Sequence, residues 1–292
     1  MKPLFSEYDP LFELPNEMHG SLVDAHRHGL YDLAEWSLRG TPVHTWEQNM
    51  DFIKHEKRTK QLFGSDLQRE LREWTLFSQK EGVGSVLDFS GKHDRLGMAQ
   101  SYQNQKIENY SPCWWAEWHD NIYPPARAMI LPDEREVNER AAKRACEFLA
   151  FCSEGFITLH AQESEWKREI GQKRFGSSLV FWLHKQGLLG IRTILVHMNI
   201  VDENDVELLV HTRTPVVLCP ASRLALKNPN PQLPPEVELH FGTDSSLVSG
   251  ERSLLEQARL QRRIWVEAGC NFGESTVRAL RALSKKLPGS KS

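Results

Sequence analysis

Two histidines separated by one residue, His26 and His28, follow a short apolar run of Leu22 and Val23. If residues 22–25 form a buried strand, side chains two positions apart lie on one face of it. The two imidazoles then point the same way where the strand ends, and two imidazoles there can hold one metal ion. Because short motifs also arise by chance, the meaning of this pair depends on the rest of the chain.

Other residues able to do chemistry follow other apolar runs. His160 ends the run 156–160, His197 ends the run 193–197, and Asp244 follows the run 238–242 within the segment Gly-Thr-Asp-Ser-Ser. Each residue alone is more often a hydrogen-bonded structural group or part of a polar turn. All of them, however, follow predicted strands. In a barrel of parallel strands the carboxyl ends meet at one mouth, where active sites are built.

Eight short segments are predicted strands, over residues 22–25, 83–89, 113–118, 126–131, 156–160, 193–197, 215–218 and 238–242. Most of them alternate with predicted helices, over residues 65–82, 94–107, 134–152, 178–186, 203–211, 252–269 and 274–286. This alternation favours a parallel sheet, and eight strands favour a single (β/α)8 TIM-like barrel. We expect an N-terminal arm over residues 1–20, one barrel over 21–286 and a frayed tail over 287–292.

The composition narrows the classes of partner. The 292 residues are 40% hydrophobic and 26% charged, with a formal net charge of −3, which argues against a general binder of nucleic acid or of anionic membranes. Five cysteines without a C-x-x-C spacing fit a reduced cytoplasmic protein better than a disulfide framework. The N-terminal residues do not have the pattern of a signal peptide, and no apolar run is long enough to span a membrane. We expect a cytoplasmic protein whose partner is a small-molecule substrate.

The ordered motifs D-x-H-x-H, L-H-x-x-E, V-H, C-P-x-S and G-T-D-S-S resemble those of the amidohydrolase superfamily, in particular its cytosine deaminase-like and chlorohydrolase-like branch. The resemblance covers residues 22–283. It implies a single divalent metal, zinc or alternatively iron, held by His26, His28, His160 and Asp244. Three imidazoles and a carboxylate bind zinc while leaving a position for water, and the metal lowers the pKa of that water towards neutrality.

The resemblance also implies catalytic roles. Asp244 takes the proton from the attacking water, and Glu163, three residues after His160, carries a proton to a ring nitrogen or to the leaving group. His197 lies beside the metal and steers the water or polarises the attacked carbon, with direct ligation left open. Residues 126–132 contain no lysine, so the binuclear arrangement built on a carbamylated lysine is not supported.

The chain departs from the branch at several points. The loop 131–134 lacks the substrate-binding histidine that related deaminases carry, and Arg223 stands where asparagine usually follows C-P-x-S. An arginine there can pair with a carboxylate or phosphate, or form a surface salt bridge. Trp36 and Glu117 are further candidate substrate contacts. We also expect the usual accessory β-sandwich to be absent, so that a partner, such as a second copy of the chain, covers the barrel.

These expectations favour a hydrolytic deaminase that replaces an amino group on an unsaturated heterocycle by water. An alternative on the same metal site is hydrolysis of an amide, a cyclic amide or a chloro substituent. A third hypothesis, from another class, is a non-catalytic barrel that binds a ligand or partner and keeps the metal for structure alone.

Overall fold

The computed structural model describes residues 16–18, 20–28, 75–89, 102–110, 112–116, 127–245 and 253–288. Nine strands form a parallel sheet in the order β3-β2-β1-β9-β8-β7-β6-β5-β4. Their bounds are β1 Leu22–Arg27, β2 Val83–Asp88, β3 Glu108–Asn109, β4 Cys113–Trp114, β5 Ala128–Ile130, β6 Phe156–Ala161, β7 Thr193–His197, β8 Val216–Leu218 and β9 Leu239–Phe241.

Seven α-helices follow or separate these strands: α1 Glu139–Phe151, α2 Glu165–Phe175, α3 Leu179–Lys185, α4 Glu203–Thr212, α5 Pro220–Ala225, α6 Leu254–Glu267 and α7 Phe272–Ser284. Residues 75–80 and 102–104 are also helical, and Asn16–Met18 forms a 3-10 turn. None of the described helices is both long and apolar enough to cross a membrane. The parallel sheet with intervening helices confirms the predicted α/β class.

Contacts between residues divide the chain into two compact units. The first takes the described residues within Met1–Asn109, Cys219–Lys227 and Phe241–Lys285, and the second takes those within Tyr110–Leu218, Asn228–His240 and Lys286–Ser292. In the first unit every residue of β1 is buried, and in the second β7 is buried throughout. Strands buried on both faces are typical of parallel sheets covered by helices. The expected single barrel over 21–286 stays a prediction.

One strand was not predicted, and one predicted strand was too long. β3 was not predicted at all, because it consists of only two polar, half-buried residues that carry no apolar pattern. It pairs with β2, where Ser85 lies opposite Glu108. The predicted strand 113–118 ends at Trp114, and residues 115–116 form a turn. Residues 117 and 118 lie outside the described part of the chain.

Helix predictions were confirmed for α3, α4, α6 and α7 to within two residues at each end. The predicted helix 134–152 begins only at Glu139, because the side chain of Asn138 accepts a hydrogen bond from the Ala141 N–H and caps the helix there. The described part of the predicted helix 94–107 is helical only to residue 104. Helices α2 and α5 were not predicted.

Candidate metal centre and catalytic site

Backbone hydrogen bonds in the first unit place Asp244 beside the end of β1. The Asp244 N–H donates to the His26 carbonyl over 3.0 Å, and the His28 N–H donates to the Asp244 carbonyl over 3.1 Å. Gly242 permits this approach, since a Cβ at that position would lie 2.7 Å from the Cβ of His26. The glycine of the G-T-D-S-S motif is therefore required by the close packing of this segment against β1.

Asp24, the first residue of the D-x-H-x-H motif, fixes the same segment through its side chain. Its carboxylate accepts hydrogen bonds from the Thr243 N–H over 3.0 Å and from the Thr243 hydroxyl over 2.8 Å. It also pairs with Arg27 at 3.0 Å, and Arg27 donates to Ser78 over 2.9 Å. Because Asp24 and Arg27 are fully buried and paired, this network holds the backbone of residues 243–244 in one position relative to β1.

His26, His28 and Asp244 offer three ligand atoms that lie within 4.8 Å of one another. The Nε2 atoms of His26 and His28 lie 3.4 Å and 3.6 Å from Oδ1 of Asp244. Ligands of a tetrahedral zinc ion with bonds of about 2.0–2.1 Å are separated by about 3.3–3.4 Å. These separations are longer than an ordinary N–H···O hydrogen bond and match a shared metal ion, so the donor set fits zinc.

Aromatic packing orients the two imidazoles. The ring of Phe89, which directly follows β2, lies edge-on to the ring of His26 with centroids 4.3 Å apart. The two histidine rings are perpendicular, with centroids 4.7 Å apart. His26 is fully buried, whereas the His28 side chain keeps 15% of its surface exposed. Only one of the two imidazoles is therefore reached by solvent from the site.

In the second unit, His160 and His197 come together at the ends of adjacent strands. β6 pairs with β7 in a register that places Ala161 opposite His197. The two imidazole rings stack with centroids 5.3 Å apart. His197 is buried, whereas His160 is partly exposed. The structure thus confirms that these two histidines are neighbours.

Glu163 lies at the start of α2 with its carboxylate held from two sides. Lys167, one helical turn later, places Nζ 2.6 Å from Oε2 of Glu163. The Nε2 atom of His197 lies 3.9 Å from Oε1 of the same carboxylate. The backbone carbonyl of Glu163 accepts a hydrogen bond from the Asn199 side chain over 2.9 Å. Glu163 is only 5% exposed, so it is a buried, oriented group and not a solvated loop carboxylate.

Lys167 links Glu163 to the loop that follows β5. Its Nζ atom lies 3.0 Å from Oδ2 of Asp133, which also accepts hydrogen bonds from Arg135. Burial opposes the charge of Lys167, but the carboxylates around it raise its pKa above the ordinary value. Burial likewise opposes ionisation of Asp133, yet Lys167 and Arg135 outweigh it and lower the pKa of Asp133 to about 2. The pair is therefore ionised at neutral pH.

Glu134, the next residue, is fully buried, and its pKa shifts in the direction opposite to that of Asp133. Burial raises its pKa to about 7, although Lys167 and a hydrogen bond from the Gln162 N–H act against this rise. Gly171 of α2 lets the helix pack close to it, since a Cβ there would lie 3.4 Å from Cγ of Glu134. The loop 131–134, which lacks the expected histidine, thus supplies two buried carboxyl groups that anchor α2.

The backbone is strained where the strands end at these residues. Gln162, His197, Met198 and Asp244 all have a positive φ, between 47° and 77°, although none is glycine. Such conformations are uncommon for residues with a side chain and cluster at functional sites. The ends of β6, β7 and β9, which carry Glu163, His197 and Asp244, each have at least one of these residues.

Arg223 lies in α5 and is buried, with 5% of its surface exposed. The predicted substrate contacts Trp36 and Glu117 lie outside the described residues. Sequence reasoning missed Lys167, Asp133, Glu134, Asp24 and Thr243 as residues that position the site. The spacing of Glu163 and Lys167 by four residues was the one local signal for an interaction, and it becomes useful only if α2 is recognised as a helix.

Three comparisons with known proteins bear on this geometry. No protein-family model matches the chain, and no curated protein matches its sequence. Among solved structures, a zinc-bound adenosine deaminase from Xanthomonas campestris is similar with a TM-score of 0.70 and 17% identity, covering 92% of this chain and 68% of that one. A zinc complex of atrazine chlorohydrolase from Arthrobacter aurescens has a TM-score of 0.72 and 15% identity, covering 90% and 68%.

An E. coli guanine deaminase is similar with a TM-score of 0.63 and 15% identity, covering 90% of this chain and 66% of that one. This chain has the fold of these enzymes. Two of these solved structures are deaminases and one is a chlorohydrolase. At such low identity the likeness shows the fold alone, and the activity of this chain is a separate question.

Proposed function

We propose that this protein is a metal-dependent hydrolase acting on C–N bonds, and specifically a hydrolytic deaminase of an amino-substituted heterocycle. The observation that carries the proposal is that the Nε2 atoms of His26 and His28 lie 3.4 Å and 3.6 Å from Oδ1 of Asp244, close to the separation of two ligands of one zinc ion. The similarity in fold to two deaminases and a chlorohydrolase supports it. We propose that the site stands at the mouth of a (β/α)8 barrel.

His160 completes the proposed ligand set. It belongs to the L-H-x-x-E motif and is the last residue but one of β6. The strands of the sheet run parallel, so their carboxyl ends lie at one edge. Zinc is the proposed metal because two or three imidazoles and one carboxylate suit it, with iron as the alternative. A bound divalent ion would supply a Lewis acid that brings the pKa of a water molecule towards neutrality.

The residues of the chain then divide the work of proton transfer. The carboxylate of Asp244 accepts a proton from water as the water oxygen attacks the carbon that carries the amino group. Glu163, in its acid form, delivers a proton to the ring nitrogen. The proton that Asp244 took from water then passes to the departing amine, so the C–N bond breaks and ammonia leaves. The hydroxyl proton of the adduct returns to Glu163 as the C=O bond forms. His197, near Oε1 of Glu163, hydrogen-bonds the attacking water. Lys167 holds the other oxygen of Glu163 and keeps the carboxylate aimed in one direction.

We further propose that the protein is cytoplasmic and forms a homo-oligomer in which a second copy of the chain covers the barrel. All five cysteines are free thiols in the structure, as suits a reducing compartment. Trp36, Glu117 and Arg223 are proposed substrate contacts. Sedimentation tests the oligomer, and a monomer would contradict it.

The decisive experiment is elemental analysis of protein purified without added metal, together with His28→Ala and Asp244→Ala variants. We expect about one zinc or iron per chain in the wild type and a loss of metal in both variants. His211→Ala, which removes an exposed histidine on α4, serves as the matched control and should retain the metal. Two metals per chain would contradict the mononuclear site. No metal in the wild type would contradict the metal-dependent hydrolase and would favour a non-catalytic barrel whose ligand set no longer binds metal.

A screen of amino- and chloro-substituted heterocycles then separates the two reactions, because deamination releases ammonia and dechlorination releases chloride. Glu163→Gln keeps the size of the side chain but removes the titrating carboxyl group. We expect this variant to retain metal and to lose at least about 100-fold in turnover, in the range typical of proton-transfer groups. Unchanged turnover would remove Glu163 from the proposed mechanism.

A further inference from the structure

Arg223 lies one helical turn from Cys219, a residue that adjoins Asp244 of the proposed metal centre. It belongs to α5, which starts directly after Cys219 at the end of β8. The Sγ atom of Cys219 lies within 4.8 Å of a carboxylate oxygen of Asp244. The Arg223 N–H donates to the Cys219 carbonyl over 3.0 Å, so the arginine lies one helical turn beyond the residue that adjoins Asp244.

The guanidinium of Arg223 is buried, and the described part of the chain offers it no counter-ion. Its Nη2 atom is inaccessible to solvent and has no hydrogen-bond acceptor. Among the residues that the structure describes, no carboxylate forms an ion pair with it. Burial lowers the pKa of Arg223 to about 10. Arg27 is buried in the same unit but has polar partners, since it pairs with Asp24 and donates hydrogen bonds to Thr243 and Ser78.

A buried and unpaired cation destabilises the folded state because the lost hydration is not replaced. Such a residue is expected where an anion binds in the functional state. Arginine is especially suited to this role, since its planar guanidinium can donate two parallel hydrogen bonds to a carboxylate or phosphate. The segment before it, Cys219 to Ser222, is also buried, so the group is held by packing.

We propose that Arg223 binds an oxyanion, the carboxylate or phosphate group of the substrate. This inference rests on the proposed function, the deamination of an amino-heterocycle. It restricts the substrate to an amino-heterocycle that carries a negative charge. The anionic group then provides binding energy and orientation at a distance from the reacting carbon. A neutral heterocycle of the same shape is correspondingly a poor substrate, because it would leave the buried guanidinium unpaired.

The test measures binding of two simple probes, benzoate and inorganic phosphate, by calorimetric titration of the full chain at constant ionic strength. Four proteins are compared: wild type, Arg223→Met, Arg223→Lys and, as a matched control, Arg281→Met, which replaces an exposed arginine on α7 of the same unit. Each titration is repeated with a metal chelator present, since oxyanions also bind metal ions directly.

We expect the wild type to bind at least one probe and Arg223→Met to bind it about 10- to 100-fold more weakly, as for loss of a hydrogen bond to a charged group. Arg223→Lys should bind with intermediate affinity because it keeps the charge but loses the planar fork. Arg281→Met should bind like the wild type. The probe that binds more tightly distinguishes a carboxylate from a phosphate.

Thermal unfolding without probe provides a second, independent measurement. Removal of an unpaired buried charge should leave the unfolding midpoint of Arg223→Met equal to or above that of the wild type. A clear fall in the midpoint would assign Arg223 to a structural ion pair and overturn the proposal, as would equal affinity of wild type and Arg223→Met for both probes. Binding that depends on Arg223 in the presence of chelator supports the anion site even if elemental analysis rejects the metal, so the two proposals fail separately.

Discussion

At the scale of single residues, the position of Glu163 depends on a buried lysine. Lys167 is 1% exposed and lies between the carboxylates of Glu163 and Asp133, at 2.6 Å and 3.0 Å. Without it, two carboxylates would be buried with only Arg135 beside Asp133 as a cation. The lysine therefore maintains both the stability of this region and the direction of the Glu163 carboxylate.

Lys167→Met removes this charge while it keeps most of the side-chain volume. We expect a loss of about 3–5 kcal/mol in the free energy of unfolding, as for one partner removed from a buried ion pair, measured by urea denaturation at pH 7. Lys167→Arg should restore part of the loss. A change below about 1 kcal/mol, which is typical of exposed pairs, would contradict the buried network.

Glu134 makes the stability depend on pH. Its pKa in the folded protein is about 7, above that of an ordinary glutamate, so the folded state retains a proton that the unfolded chain releases. This contribution to the free energy of unfolding is complete below about pH 4 and is lost as the pH rises through 7. Its full size is about 3 kcal/mol.

Glu134→Gln tests this dependence. Glutamine keeps an oxygen to accept the hydrogen bond from the Gln162 N–H, but it cannot ionise. Urea denaturation between pH 5 and 8 should show a smaller loss of stability in the variant than in the wild type. Parallel curves for the two proteins would mean that Glu134 does not titrate in this range.

At the scale of elements, α2 positions the candidate proton-transfer group. Its buried face consists of Lys167 and Gly171, so it lacks the apolar stripe by which amphipathic helices are recognised. Gly171 fits against Glu134 and Lys167 contacts Asp133. Polar and close-packed contacts therefore hold this helix in place of an apolar face.

Ser164, which caps the N-terminus of α2, should matter for both stability and activity. Its hydroxyl accepts a hydrogen bond from the Lys167 N–H over 3.3 Å, next to Glu163 in the chain. Ser164→Ala should lower the free energy of unfolding by about 1 kcal/mol and reduce turnover. Asn138→Ala, which removes the corresponding cap of α1, should cause a similar loss in stability with unchanged turnover. Equal effects of both variants on turnover would argue against a special role for the start of α2.

At the scale of the whole molecule, a bound metal ion should stabilise the fold. His26 and His28 lie more than 200 residues from Asp244 along the chain, and an ion bound only by the folded state shifts the folding equilibrium by mass action. We expect a chelator to lower the unfolding temperature of the wild type, by an amount equivalent to about 4 kcal/mol if the ion is present at 1,000 times its dissociation constant. Asp244→Ala should unfold at the same temperature with and without chelator. An unfolding temperature of the wild type that does not change with chelator would contradict the proposed metal site.

The alternation of strands and helices could be predicted from the sequence, as could the placement of His26, His160, His197 and Asp244 at strand ends. These features depend on local patterns: apolar runs, capping residues and the spacing of motifs. His160 and His197 lie beside each other in the structure because adjacent parallel strands bring their ends together.

Only the tertiary structure decided which polar residues are buried and what they contact. Lys167 and Asp133 look like ordinary surface charges in the sequence, yet both are buried. The hydrogen bonds from Thr243 to Asp24 join residues 219 positions apart. Such contacts form between segments that no local pattern relates, and their strength depends on burial, which is a property of the folded chain. The sequence by itself determined which residues can do chemistry, and the packing of distant segments decided how they are held.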